Sequence, residues 1–159
     1  MPLIRPALPG DAADILDLIR ELAIYEREPD AVKNTESSLV SHLFGPDPQV
    51  YALVVEHEGT VLGFALWFLT YSTWEGTHGI HLEDLYVRET SRGAGHGKAL
   101  LTELARLAVE RGYRRVEWSV LDWNAPAIGF YDSIGAGSME GWTVRRLEGA
   151  ALAELGATA

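Results

Sequence analysis

The chain has 159 residues, enough for one domain, residues 1–159, to bury a sizeable core without staples. Thirteen basic against 23 acidic side chains give a net charge of −10, which argues against nucleic acid as a partner. That charge fits a cationic small substrate and an ordinary acidic surface equally well.

A hydrophobic content of 47% marks a globular chain, and the complete lack of cysteine excludes disulfides and thiolate zinc sites. The opening MPLIRPALPGD has no apolar core or cleavage signal, and the longest apolar run, Val61 to Leu69, is too short to span a bilayer. A cytoplasmic address without membrane attachment is expected.

Leu3 to Arg5 reads as a first strand, closed by Pro6 and Pro9. Asp11 can cap a helix with an apolar face of Ile15, Leu18, Ile19, Leu22 and Ala23, reaching about Tyr25. After the acidic connection Glu26 to Asp30, Thr35 caps a shorter helix that ends at Gly45-Pro46. Val50 to Glu56 and Val61 to Tyr71 form a hairpin through His57-Glu58-Gly59-Thr60. Ser72 to Gly79 reads as a long polar loop, and Leu82 to Arg88 as the next strand.

A glycine turn follows, then a helix with apolar residues at 100, 101, 104, 107 and 108. Arg115 to Val120 is a strand. Asn124 opens a helix with Pro126 in its first turn and Gly135 as its stop. Trp142 to Leu147 reads as a last strand and Ala150 to Leu155 as a terminal helix. Hairpins mixed with helices predict an α/β fold with a mixed rather than parallel sheet.

The stretch that organises the chain is Arg92-Gly93-Ala94-Gly95-His96-Gly97-Lys98, set between a strand and a helix. Its alternating glycines let the backbone approach a ligand and take positive φ. The following helix aims free N–H groups and the positive end of its dipole into the turn, while Arg92 and Lys98 add mobile charge. This is a phosphate cradle built mainly from main chain. A Walker A loop fails on spacing and on Ala99, which stands where a magnesium-binding hydroxyl is needed. A dinucleotide fingerprint fails because Lys98 occupies the third glycine position. The pattern [QR]-x-x-G-x-[GA] is satisfied by Arg92, Gly95 and Gly97, and resembles the pyrophosphate signature of the Gcn5-related N-acetyltransferases, which bind acetyl-coenzyme A. A flexible glycine turn without a ligand is the competing reading.

A second motif, N-x-x-A-x-x-x-Y-x-x-x-G, spans Asn124, Ala127, Tyr131 and Gly135. It sets Asn124 and Tyr131 near one helix face. A core tyrosine is the plainer reading of Tyr131 taken alone. The two motifs in this order strengthen the resemblance, and further matches narrow it. Glu21-Leu22-Ala23, Tyr25-Glu26, Tyr71-Ser72-Thr73-Trp74, Leu82-Glu83-Asp84, Trp123-Asn124 and Glu140-Gly141-Trp142 resemble the diamine (spermidine/spermine) and thialysine N-acetyltransferases. The segments Tyr71–Trp74 and Val120–Trp123 are closer to the thialysine branch. The loop between Trp74 and Leu82 is slightly longer than the family pattern. The segment between Ala136 and Glu140 is shorter and lacks acids usual there.

The resemblance implies a mixed, mostly antiparallel central sheet with splayed strands flanked by helices, a homodimer, and acetyl-CoA as cosubstrate. It also implies direct transfer of acetyl to a primary amine of a small cation such as thialysine, a diamine or a polyamine. An acyl-cysteine intermediate is in any case impossible here. An alkyl ammonium with a pKa of ~10 leaves roughly one molecule in a thousand as free amine at neutral pH, so a proton must be removed.

By resemblance Glu83 binds and helps deprotonate that nitrogen, and Tyr131 is the acid for the departing sulfur. Leu85, Tyr86 and Val87 offer backbone groups to the pantetheine and the thioester carbonyl. The cosubstrate further engages Arg92, Gly93, Ala94, Gly95, His96, Gly97 and Lys98, with Asn124, Pro126 and Tyr131. Tyr25, Glu26, Ser72, Thr73, Trp118, Leu121, Asp122 and Glu140 join Glu83 around the acceptor, although Glu26 and Glu140 read equally as solvated surface. Strand alternation turns Asp84 away from Glu83 and makes it the weaker carboxylate.

His78 and His81 lack a third metal ligand at plausible spacing, so no metal is expected. A protein-lysine or protein N-terminal acetyltransferase is the alternative. It needs an open groove, whereas a long Ser72–Gly79 loop with flanking acids suggests a closed pocket. A non-catalytic acyl-CoA-binding module predicts loss of Glu83 or Tyr131, and both are present.

Overall fold

The computed structural model describes residues 1–157. Its order is β1 (Leu3–Pro6), α1 (Ala12–Tyr25), α2 (Glu36–Phe44), β2 (Tyr51–His57), β3 (Thr60–Ser72), β4 (Thr77–Val87), α3 (His96–Glu110), β5 (Val116–Glu117), α4 (Ala125–Ser133) and α5 (Gly149–Gly156). Short 3-10 turns at Pro9–Asp11 and Glu89–Ser91 precede α1 and α3. Two compact units divide the chain, one of Met1–Leu121 and one from Asp122 on.

In the first unit the strands lie in chain order, β1-β2-β3-β4-β5. The first four are antiparallel neighbours and β5 joins β4 in parallel, so the sheet is mixed, as the sequence predicts. The Glu58-Gly59 link between β2 and β3 has φ of 50° and 78°, the left-handed pair that a two-residue hairpin requires. Ala12, Ile15, Leu16 and Leu18 of α1 and Leu39 and Leu43 of α2 are buried against Ala52, Val54, Phe64 and Tyr86 of the sheet. The buried stripe of α3 is Leu100, Leu101, Leu104 and Ala108.

Several expectations change. Asp11 does not cap α1 with its side chain. Its carboxylate instead binds Arg5 at 2.7 Å and accepts the Leu8 N–H, because Arg5 of β1 reaches it first. Arg5 holds the Asp11 carboxyl below its ordinary range against the opposing effect of burial.

The long Ser72–Gly79 loop does not form. Thr70↔Gly79, Tyr71↔His78 and Ser72↔Thr77 pair as strand, and Ser72 Oγ accepts the Glu75 N–H at 3.1 Å to close a tight turn. Cross-strand pairing overrides the polar composition of this stretch. The closed acceptor pocket argued from a loop here therefore loses that support.

The expected strand over Arg115 to Val120 contracts to two residues, and Trp142 to Leu147 forms no strand. A strand exists only through its partner. Trp142 and Val144 lie exposed at 75% and 87% of their surface. In the second unit, Asn124 caps α4 through Ala127, as expected, and the predicted terminal helix is α5. No helix among the described residues is long and apolar enough to cross a membrane.

What positions the site is the hold of β3 on β4. Gly63 lies opposite Val87, at the end of β4 that feeds the glycine turn. A Cβ on Gly63 meets the Tyr86 carbonyl oxygen at 2.7 Å and Val87 Cα at 3.1 Å. Both are backbone atoms that cannot step aside. Gly63→Ala is therefore expected to destabilise the protein by about 1–3 kcal/mol, the usual cost of overpacking, read as a lower urea midpoint at unchanged slope.

Candidate active site

β4 is asymmetric. Along β3 it is paired from Thr77 to Val87, but β5 accompanies it only at Ile80↔Val116 and His81↔Glu117. From Leu82 onward its second edge has no paired strand among the described residues, so main-chain polar groups of that stretch are available to a ligand. This is the opening that the expected splay describes. Trp118 and Leu121 follow directly after β5, where the chain parts from β4.

The same strand carries a bulge. Leu66 pairs with Asp84 and Trp67 with Leu82, which leaves Glu83 as the extra residue. The insertion resets the alternation. Asp84 shares the face of its partner Leu66, which packs on the α1 side of the sheet. Glu83 acts electrostatically on Asp84 and also on Glu26, the residue that closes α1. The expectation that Asp84 turns away from Glu83 is thus corrected, since strict alternation holds only in an unbulged strand.

Burial, then Glu83, then Glu26 push the Asp84 carboxyl up to about 6. Burial and Glu83 raise that of Glu26. His81, stacked on Phe68 at 4.8 Å, places Nε2 3.7 Å from a Glu83 oxygen. Such mutually repelling acids favour an arriving cation over an empty site.

At the end of β4 the glycine turn has the predicted form. Gly93 and Gly95 take φ of 83° and 81°, and Cβ atoms built at Gly93, Gly95 or Gly97 meet nothing within 4 Å. The first intrahelical bond of α3 runs from the Ala99 N–H to the Gly95 carbonyl at 2.9 Å. The amides of His96, Gly97 and Lys98 precede it and are left for another acceptor. Open space, free amides and the helix dipole fit a diphosphate.

Arg92 differs from the mobile charge expected. Its Nε donates to the Val87 carbonyl at 3.0 Å, and its guanidinium lies 5.2 Å from the Tyr25 ring centre and 5.1 Å from that of Tyr86. Tyr86 itself is buried, so its side chain belongs to the core, and its carbonyl faces Gly63 of β3.

The acceptor candidates do not all meet. Tyr25, Glu26 and Glu83 gather where the end of α1 faces β4. Ser72 and Thr73 sit at the hairpin turn, six residues before Glu83 along β4 counting from Thr77, or roughly 20 Å of strand. Asp122, Pro126, Tyr131 and Glu140 belong to the second unit. There the Tyr131 ring lies 5.5 Å from that of Phe130, and the Asn124 side chain is engaged in capping α4. Asp84 is joined electrostatically to Glu83 and Glu26, and its signal in the sequence is the run of two acids in a strand interior, a place acids avoid. Among the described residues no group of three or more His, Cys, Asp and Glu is arranged to hold a metal.

Residues 13–136 match the acetyltransferase (GNAT) family. The chain is 40% identical to thialysine N-epsilon-acetyltransferase of Bos taurus over 164 residues, covering 96% of each chain. It is 33% identical to L-ornithine N5-acetyltransferase of Arabidopsis thaliana, covering 94% of this chain and 85% of that one. In three dimensions it is similar to an integron cassette protein from the mobile metagenome of V. cholerae, with a TM-score of 0.83, 26% identity, and 99% and 98% of the two chains covered.

The raised Asp84 carboxyl makes stability depend on pH. It titrates near 6 in the fold against an ordinary 3.8, so on raising the pH the unfolded chain loses this proton first. Ionised Asp84 therefore opposes folding, an effect absent below pH 3.8 and complete above about 6. Asp84→Asn stays neutral, and its melting temperature should exceed that of the parent at pH 8, with the gain shrinking toward pH 4. An equal difference at both pH values would mean that water, not protein, surrounds this carboxylate.

Proposed function

This chain belongs to the acetyltransferase (GNAT) family, and from that premise we infer that it is an acetyl-CoA-dependent N-acetyltransferase. Its acceptor is the primary amine of a small cation. The names of its relatives, acetyltransferases of thialysine and ornithine, support that acceptor class. The observation that carries the reading is the meeting of Glu26, Glu83 and Asp84 beside β4, the strand that leads to the glycine turn.

Acetyl-CoA supplies an activated thioester carbonyl. The part of the protein is to bind, to orient and to move protons. The amides opening α3, with Gly93, Gly95 and Gly97, suit the diphosphate, and the open edge from Leu85 to Val87 suits the pantetheine arm. The three acids attract the ammonium form of the acceptor and take up its proton, with Glu83 nearest the nitrogen. Asp84, a carboxyl poised near neutrality, can share that proton. Backbone N–H groups of the same strand polarise the carbonyl. Tyr131 is assigned the proton that neutralises the departing sulfur. Homodimeric assembly and a cytoplasmic address belong to the same proposal.

Within the acceptor class, a polyamine carries several positive charges and gains from a row of acids. A lysine analogue carries one terminal amine and an amino-acid head. The similarity to a thialysine enzyme and the thin acidic complement near Glu140 favour the lysine analogue. Thialysine should therefore exceed spermidine in kcat/KM when thialysine, lysine, putrescine and spermidine are compared side by side by thiol release. A clear win for spermidine sinks the acceptor assignment, and no activity with any of them sinks the enzyme.

Tyr131→Phe removes one hydroxyl and keeps the ring. Turnover should fall by roughly 10²–10⁴, the range for a positioned acid, with coenzyme affinity little changed. Full turnover would return Tyr131 to packing beside Phe130.

A further inference from the structure

Tyr25 is the last residue of α1, and Arg92 opens the glycine turn. The two are far apart in sequence, yet the Arg92 guanidinium carbon lies 5.2 Å from the centre of the Tyr25 ring and 5.1 Å from that of Tyr86. The Val87 carbonyl takes its Nε–H. Beside this stack lies an open cleft of about 320 Å³ bounded by Glu21, Ile24 and Glu89 together with the three stacked residues. An arginine on an exposed loop normally samples many rotamers, and fixing them costs affinity when a ligand binds. Here two aromatic faces and one carbonyl fix the side chain beforehand. The Tyr86 side chain also hydrogen-bonds this guanidinium, which has further N–H groups to offer a phosphate.

We infer that Tyr25 is a positioning residue for the coenzyme: it holds Arg92 ready for the diphosphate and so ties the end of α1, which carries Glu26, to the glycine turn. This rests on the reading of that turn as the coenzyme site. It moves Tyr25 from the acceptor side alone to a link between the two substrates. Because coupling between ligands is reciprocal, coenzyme binding that tightens the stack also steadies the acid at the end of α1. Tyr86 cannot be varied cleanly, since it is buried in the core, whereas Tyr25 is partly exposed and can.

Calorimetric Kd values for coenzyme A alone, with no acceptor present, test the link. Tyr25→Leu should raise Kd about two- to fivefold, the weight of one exposed cation–π contact, and Tyr25→Phe should restore it. In an Arg92→Ala background, Tyr25→Leu should add nothing, because the partner is gone. Gly95→Val serves as the reference for the turn. If Gly95→Val leaves Kd unchanged, the coenzyme reading of the turn fails. If it abolishes binding while Tyr25→Leu leaves Kd unchanged or lowers it, the positioning role fails and the coenzyme reading stands. Equal effects of Tyr25→Leu with and without Arg92 also overturn it.

Discussion

β4 is paired along its full length on one edge and over only two residues on the other, and the functional geometry follows from that imbalance. A strand cannot leave its main-chain groups unpaired in a buried setting. Where β5 departs after Glu117, the edge from Leu82 to Val87 is left to water or to a ligand, apart from the Val87 carbonyl that Arg92 occupies. The antiparallel hold of β3 keeps that open edge from collapsing. Gly63 permits the closest part of this hold, at the point where β4 hands the chain to the glycine turn.

The bulge at Glu83 adds chemistry to this opening. One inserted residue sets two neighbouring carboxylates to act on one another and on Glu26. Gathering acids in a half-buried place works against the fold, since burial and like charge both favour the protonated form. The rest of the first unit compensates through Phe64, Ile15, Leu18 and Leu100, all fully buried. Arg88 pairs with Glu21 and, at 3.9 Å, with Asp14, binding α1 to the end of the same strand. Acids that are costly when empty are suited to an acceptor that arrives positively charged.

Two segments depart from their local composition for one reason. The polar residues of Ser72–Gly79 predict a loop, and the β-prone residues of Trp142 to Leu147 predict a strand. In the first case β3 and β4 extend one another by cross-strand pairing out to Ser72↔Thr77. In the second no partner strand joins among the described residues, and the segment stays irregular and exposed. Local preference for strand is weak compared with the presence or absence of a neighbour.

The amino-acid order alone determined the helices, whose 3.6-residue stripes and caps at Thr35 and Asn124 are local features. It also determined the β2–β3 hairpin from its Glu58-Gly59 link and the glycine turn from the spacing of Gly93, Gly95 and Gly97. Each of these depends on residues close in the chain. Tertiary structure alone decided which side Asp84 faces, since a bulge is a mismatch between two strands and no single strand encodes it. It also decided that Arg92 is held by Tyr25 and Tyr86, and that β5 leaves β4 after two pairs. Those facts join segments distant in sequence, where packing and register rather than periodicity set the outcome.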